Sequence, residues 1–282
     1  MARWLFFNNL LKEVAVPELP EVELTRRRLE PDLVGKRIER VEVRIPKLRL
    51  PIPGELATVL PGRTIRSVGR RGKYLLFDCE AGWLIVHLGM TGFLRFLAEP
   101  AQPGKHDHLD ICLGAGSVLR FHDPRRFGTV AWTTDTPTGH PLLAGIGPEP
   151  LTPAFDGDYL FKVSRSRRVA VKQLIMNGAM VAGVGNIYAN EALFRAAIRP
   201  DRPASSLTPR ECELLALAIR EVLEESIGQG STYRVAEETA AYHPLAFAVY
   251  GRGKERCIRC NGALEGIRLG TRSTVYCPRC QR

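Results

Sequence analysis

The sequence has no long apolar run. Nowhere in its 282 residues is there the stretch of roughly 18 apolar positions that a membrane-crossing helix needs, which excludes a helical integral membrane protein. The first residues read as a poor secretory signal as well. The apolar stretch Trp4–Phe7 is cut short by Asn8 and Asn9, and no small-residue cleavage site follows. No internal repeat is visible. Acidic residues are in deficit: 30 Asp and Glu against 40 Lys and Arg leave a net charge of +10. Such a balance fits either a solvated basic surface or a polyanionic partner such as nucleic acid. Cysteines are few and unevenly placed. Cys79, Cys112 and Cys212 stand singly among apolar neighbours, while Cys257, Cys260, Cys277 and Cys280 crowd the C-terminus. An extracellular disulfide framework would spread an even number along the chain, so this pattern points to a reduced compartment and one metal site.

What is present is ordinary globular material. Apolar residues make up 45% and charged residues 25%, enough for a sizeable core and too apolar for wholesale disorder. The region from Glu18 to Leu33 reads as a helix, with Val22, Leu29 and Leu33 at helical spacing. Short β-rich stretches follow at Tyr74–Asp78, Trp83–Leu88, Phe93–Leu97, Leu109–Leu113, Val118–Phe121 and Thr129–Trp132, punctuated by glycines. Residues 17–134 therefore form a β-rich domain with a helix at its start. Five prolines and three glycines in residues 135–154 read as a linker.

The period then changes to 3.6. Val171, Leu174 and Ile175 share one helix face, and Thr208-Pro-Arg-Glu211 is a capping box with proline in the first helical position. The helix it opens is expected to stop near Gly228. Residues 155–245 make a helical domain, and 246–282 a small Cys-rich one. The last 37 residues hold eight basic and two acidic side chains, a net of +6, whereas 155–245 is neutral with eleven of each.

Cys257-x2-Cys260 and Cys277-x2-Cys280 supply four thiolates at ribbon-like spacing, the ligand set of a tetrahedral Zn²⁺. So short a segment buries little core, and metal binding would supply much of its folding free energy. One structural Zn²⁺ is expected, with no open position for catalysis. A pair of disulfides or a redox dithiol is the competing explanation. Arg256, Arg259, Arg268, Arg272 and Arg279 make the ribbon a natural phosphate-contacting element.

At the other end, Pro17-Glu18-Leu19-Pro20-Glu21-Val22-Glu23 is unusual. Taken alone it is a helix start. It is followed in order by Gly69-Arg-Arg-Gly-Lys73-Tyr, His87-Leu-Gly-Met90-Thr-Gly, Asp123-Pro-Arg125-Arg126-Phe127-Gly, Gly183-Val-Gly-Asn186-Ile-Tyr and the four cysteines. From Pro17 to the C-terminus this set closely resembles bacterial formamidopyrimidine-DNA glycosylase. The resemblance implies an α+β multidomain protein: an N-terminal β-sandwich with flanking helices, a helix–two-turn–helix domain and a C-terminal four-cysteine zinc finger. It implies removal of oxidised purines from double-stranded DNA, followed by β,δ-elimination at the abasic site, by a monomer in the bacterial cytoplasm, on the nucleoid when bound. Endonuclease VIII relatives, which prefer oxidised pyrimidines, usually begin Pro-Glu-Gly-Pro-Glu; Leu19, Met90 and Arg125-Arg126-Phe127 favour the purine branch.

The resemblance also assigns residues. Pro17 is the nucleophile, Glu18 the acid/base, Glu21 a second acidic group near the site, and Lys73 a phosphate contact and proton donor. Arg272 is the finger arginine of δ-elimination. Met90, Arg125 and Phe127 fill the hole left by an extruded base, although Met90 and Phe127 would otherwise read as core. Asn186 contacts phosphate, helped by close backbone approach at Gly183 and Gly185, and His106 and Arg167 fall at or near further DNA contacts. Tyr233 to Phe247 corresponds to the region of the lesion-capping loop.

One departure matters. In the family that proline is the mature N-terminus, but here Pro17 follows sixteen residues, and an internal proline nitrogen is a tertiary amide that cannot form an iminium. Either processing exposes Pro17, or translation starts at position 16, where valine fits a GTG start codon and the initiating methionine is then removed. The competing expectation is an inactive DNA-binding relative blocked by the extension at 1–16.

Overall fold

The computed structural model describes residues 16–230 and 246–282. Residues 1–15 of the extension at 1–16, and residues 231–245, which include most of the expected capping-loop region Tyr233–Phe247, lie outside the described residues. By its contacts the chain divides into two compact units. One takes in residues 16–17 and 21–140, the other 18–20, 141–230 and 246–282.

Helix α1 (Leu19–Leu33) belongs to the first unit from Glu21 onward, and its residues Val22, Leu29 and Leu33 are buried as their spacing predicts. A single helical turn, α2 (Leu56–Val59), buries Leu56 in the same core. The unit is otherwise built on two antiparallel four-stranded sheets. The first has the order β2-β3-β4-β8, built from β2 (Ser67–Arg71), β3 (Tyr74–Asp78), β4 (Trp83–His87) and β8 (Thr129–Thr133). The second has the order β1-β6-β7-β5, built from β1 (Ile38–Val43), β6 (Asp107–Leu113), β7 (Val118–His122) and β5 (Phe93–Leu97). Val68, Leu75, Phe77, Val86 and Val130 of the first sheet share one core with Val41, Leu109, Ile111, Leu119 and Phe121 of the second. This is the expected sandwich, each strand contributing its alternate side chains.

Strand β6 starts at Asp107, two residues before the expected Leu109, and is buried throughout. Its acidic residues are tolerated there because they are paired. Arg120 Nε and Nη2 donate to the two oxygens of Asp110 at 2.8 and 2.7 Å, and Asp107 accepts from Arg95 Nη2 at 2.9 Å and pairs with His122 Nδ1 at 2.7 Å.

The second unit is helical with a terminal hairpin: α3 (Gly157–Ser164), α4 (Val171–Met176), α5 (Asn186–Arg195), α6 (Pro209–Gln229), then β9 (Glu265–Leu269) and β10 (Arg272–Tyr276). Val171, Leu174 and Ile175 are buried together on α4. The capping box of α6 is formed: Thr208 Oγ1 accepts from Glu211 N at 3.2 Å, and Glu211 Oε2 from Thr208 N at 2.8 Å. This helix ends at Gln229, with Gly230 at φ +72°, two residues beyond the expected stop at Gly228. Helix α5 carries the hairpin region. Glu191 accepts from the backbone N–H groups of Ala248, Val249 and Tyr250 at 2.7–2.9 Å, and Arg259 donates to Phe194 O at 2.9 Å with its guanidinium over the Phe194 ring. Among the described residues, no helix is long and apolar enough to cross a membrane.

Candidate functional site

Glu18 lies in the second unit, 2% exposed, against the N-terminus of α5. Its Oε1 accepts from Ile187 N at 2.9 Å and its Oε2 from Tyr188 N at 3.4 Å. These are orphan donors of a helix's first turn, at the positive end of its dipole, and they stabilise negative charge there. Gly185 admits the carboxylate, and Gly183 admits the residue after it. A Cβ on Gly185 would stand 2.1 Å from Glu18 Cδ, and one on Gly183 would stand 2.6 Å from Leu19 Cβ. Gly183 also has φ +76°, and its carbonyl accepts from Leu19 N at 3.1 Å. The room that the missing side chains leave is taken by residues 18 and 19 of the chain itself.

The same unit holds Asn186, Arg272 and Arg167. Asn186 begins α5, and its Oδ1 is buried without a hydrogen-bond partner among the described residues. Turning this amide by 180° would put a donor there. Arg272 begins β10 and is exposed, and Arg167 lies exposed in the turn between α3 and α4. A residue with no expected role stands beside them. Lys172 on α4 is fully buried, and its Nζ donates to Ser273 O and Thr274 Oγ1 at 2.8 Å. Burial pulls its ammonium down to about 7, with Glu18 opposing the shift and Arg272 adding to it. Nothing in the local sequence marks Lys172, which sits on an apolar helix face.

The four C-terminal cysteines converge. Their sulfurs all lie within 4.8 Å of one another, with Cys257–Cys280 at 3.8 Å and Cys260–Cys277 at 3.5 Å. Disulfide sulfurs sit about 2.05 Å apart, whereas a tetrahedron with Zn–S bonds of about 2.3 Å separates its sulfurs by about 3.8 Å. The spacing therefore fits one metal ion and not two disulfides. Burial pushes the Cys257 thiol up, but the N–H groups of Cys260 and Arg259 and the neighbouring thiols bring it down to about 7, so it yields a thiolate readily. Gln281, 1% exposed, tethers this cluster: its Oε1 accepts from Cys277 N at 2.8 Å and its Nε2 donates to Ile198 O at 2.9 Å.

In the first unit Pro17 is buried, and Glu21 is fully buried on α1. Burial pushes the nearby Glu23 carboxyl up, but hydrogen bonds from Arg26, Arg27 and Arg70 overcome it and hold the group at about 2. Lys73 is at the apex of the two-residue turn joining β2 and β3, after Gly72 at φ +57°. His87, at the end of β4, faces Tyr74 with ring centroids 4.8 Å apart. Burial, then the charges of Lys73 and Arg49, lower it to about 4. Its Nδ1 accepts from Gly89 N at 2.9 Å, which shapes the turn leading to Met90.

Met90 and the 124–127 turn belong to one local construction. A Cβ on Gly89 would meet the backbone of Phe127 and Gly128 at 2.5 Å. Asp123, fully buried, ties the two turns together, its Oδ2 accepting from Gly128 N at 2.7 Å and its Oδ1 from Thr91 Oγ1 at 3.2 Å. Phe127 is 41% exposed, with the Arg125 guanidinium 4.7 Å above its ring. A core role for Phe127 is thereby excluded, and Met90 is half-buried. His106 is half-buried too, with its ring edge-on to those of His108 and His122. Asp123 is a second residue without an expected role, although an acid before proline is a recognisable turn signal.

Comparison with known proteins covers the chain in three consecutive blocks. Residues 16–130 match the formamidopyrimidine-DNA glycosylase N-terminal domain, 146–237 the formamidopyrimidine-DNA glycosylase H2TH domain, and 254–282 a zinc finger found in FPG and IleRS. The formamidopyrimidine-DNA glycosylase of Geobacter metallireducens is 77% identical over 266 residues, 94% of this chain and 100% of that protein. The crystal structure of the MutM (Fpg) protein of Thermus thermophilus is 39% identical, with a TM-score of 0.82 over 94% of this chain and 98% of that one. The Lactococcus lactis enzyme, non-covalently bound to DNA containing an AP site, is 35% identical, with a TM-score of 0.84 over 94% and 99% of the two chains.

Proposed function

This chain belongs to the formamidopyrimidine-DNA glycosylase family, and we propose that it works through a free amine at Pro17. It is a base excision repair DNA glycosylase with AP lyase activity that acts on oxidised purines, and its finger holds one zinc ion. When bound, the metal supplies folding free energy to that segment through Cys257, Cys260, Cys277 and Cys280. The enzyme acts as a monomer on duplex DNA in the bacterial cytoplasm.

The observation that carries the catalytic reading is the seating of Glu18. The residue next to Pro17 is a buried carboxyl with both oxygens addressed by α5 N–H groups. A secondary amine is nucleophilic when unprotonated, and an α-amino group titrates near neutrality. The Pro17 nitrogen attacks C1′ and the damaged base leaves with the bonding pair; the Glu18 carboxylate takes the proton that the amine sheds and passes it to the ring oxygen as the C1′–O4′ bond opens. The resulting iminium draws electrons from the sugar. Loss of a C2′ proton breaks the C3′–O bond and releases the 3′ phosphate; loss of a C4′ proton then breaks the C5′–O bond and releases the 5′ phosphate. Lys73 contacts phosphate and donates a proton in the first elimination, and Arg272 offsets charge on the leaving phosphate in the second. Met90, Arg125 and Phe127 occupy the space of the extruded base, and Asn186, His106 and Arg167 contact the DNA backbone. Glu21 stays a supporting acid.

The Pro17 amine must be free for this chemistry. Support comes from length: the Geobacter relative aligns in full with 266 residues, the number from Pro17 to the C-terminus. Borohydride trapping on an 8-oxoguanine duplex is the test. A protein starting at Pro17 should give a covalent adduct, and Pro17→Gly should lose far more adduct than DNA affinity. Tight binding without adduct by a natural protein that retains residues 1–16 would establish the blocked relative instead, and no adduct from a chain that starts at Pro17 would overturn the reading of Pro17.

A further inference from the structure

The second unit contains a buried polar node to which the catalytic reading gives no task. Asn190, one turn into α5, is 2% exposed. Its Oδ1 accepts from Val275 N at 3.1 Å and from Lys172 Nζ at 3.3 Å, and its Nδ2 donates to Asn186 O at 2.6 Å. Lys172 Nζ donates in turn to Ser273 O and Thr274 Oγ1. Three consecutive β10 residues, 273 to 275, are therefore bonded to two helix side chains. The residue before them is Arg272.

A contact between helix and strand needs no asparagine and no lysine, since apolar side chains would bury there at less risk. What directed hydrogen bonds add is register. A two-stranded hairpin has little stability of its own, so the place of its first β10 residue depends on what the following residues are fastened to. Three residues before Asn190 on the same helix, the N–H of Ile187 holds Glu18. A helix rises about 1.5 Å per residue, so one rigid turn of α5 carries both attachments, Glu18 by backbone and the Arg272 strand by the Asn190 amide. Lys172 lies within electrostatic reach of both Glu18 and Arg272.

We propose that Asn190 is a positioning residue that holds Arg272 in register with Glu18 and so decides how far the lyase reaction runs. The inference rests on the reading of Arg272 as the phosphate contact of the second elimination. In that step the C4′ proton leaves its electron pair in a dienamine, and this pair expels the C5′ phosphate and restores the iminium. A displaced guanidinium no longer offsets the charge on that phosphate. Base release and the first elimination do not need it, and Glu18 is held by the backbone N–H groups of Ile187 and Tyr188.

The test uses protein that starts at Pro17 and runs to the C-terminus, on a duplex with one abasic site. The unsaturated aldehyde end left by β-elimination is resolved from the 3′-phosphate end left by δ-elimination, and zinc content is measured in each preparation. Asn190→Ala should raise the ratio of β to δ product by about fivefold or more, with base excision on an 8-oxoguanine duplex within about twofold of wild type. Asn190→Asp keeps both acceptor bonds and should restore the ratio. In an Arg272→Ala background, Asn190→Ala should add nothing. Should Asn190→Ala lose zinc, Thr274→Val cuts the node from the strand side and should move the ratio the same way. An unchanged ratio in Asn190→Ala, where Arg272→Ala shifts it, overturns the proposal, as does a shift that persists in the double variant. If Arg272→Ala itself leaves the ratio unchanged, the reading of Arg272 fails and the proposal falls with it.

Discussion

The Glu18 carboxylate fills the space that a side chain on Gly185 would need: a Cβ there would stand 2.1 Å from Glu18 Cδ and 2.4 Å from Oε1. Gly185 has φ −121°, which any residue adopts, so only this contact requires glycine.

Gly185→Ala should therefore act on Glu18 rather than on the fold. The carboxylate, as the movable partner, gives way and loses its α5 donors. Single-turnover base excision should fall by about 10²-fold, the low end of what a general acid contributes, while DNA affinity stays within a few fold. Wild-type excision in Gly185→Ala would show that the seating of Glu18 does not matter.

Phe127 offers the opposite separation of stability from activity. Its ring is 41% exposed, so Phe127→Ala should cost at most about 1 kcal/mol of unfolding free energy, against about 3–5 for a core phenylalanine. Excision from duplex should drop about tenfold or more, since unstacking the target takes a few kcal/mol that the wedge offsets. Urea unfolding and duplex excision measured on one preparation check both halves. A core-sized loss of stability would return Phe127 to a packing role.

Chelation should unfold the last segment before the rest. The cysteines and Gln281 tether residues 257–281 to the bundle, and four thiolates without a metal do not hold that arrangement. Far-UV circular dichroism should lose the hairpin contribution only, and DNA affinity should weaken with a shallower salt dependence as phosphate-contacting arginines are released. Retained hairpin structure and affinity in metal-free protein would contradict this.

Lys172 predicts a pH effect on stability. Its folded pKa of about 7 lies below the usual lysine value near 10.4. Between the two, the unfolded chain binds a proton that the folded chain does not, so stability rises with pH across this window and the burial penalty is fully felt at and below pH 7. The contribution is at most about 1.4 kcal/mol per pH unit. Lys172→Met should flatten the rise relative to wild type in urea titrations at pH 7, 8 and 9. Parallel curves would mean that Lys172 stays charged when buried.

Much of this molecule is legible in order along the chain. The period of Val22, Leu29 and Leu33 marks α1, the Thr208–Glu211 box marks the start of α6, and the two Cys-x-x-Cys pairs mark the metal site. Each of these rests on neighbours within a few residues, and the physics of turns, caps and knuckles is local. Strands β1 and β2 escape such a reading, because Glu39, Arg40, Arg70 and Arg71 hide their alternation. Strand β6 reads too short, because Asp107 becomes acceptable only once Arg95 and His122 arrive from other strands.

The site divides the same way. Its residue types can be read from the sequence, but their partners cannot. Glu18 meets a donor 169 positions away and Lys172 an acceptor 102 positions away. Those pairings depend on which helix end is left with unsatisfied N–H groups and which strand lies against which helix. Burial makes an unpaired polar group costly, so such pairings must be completed somewhere. Where they are completed is decided only when the chain packs.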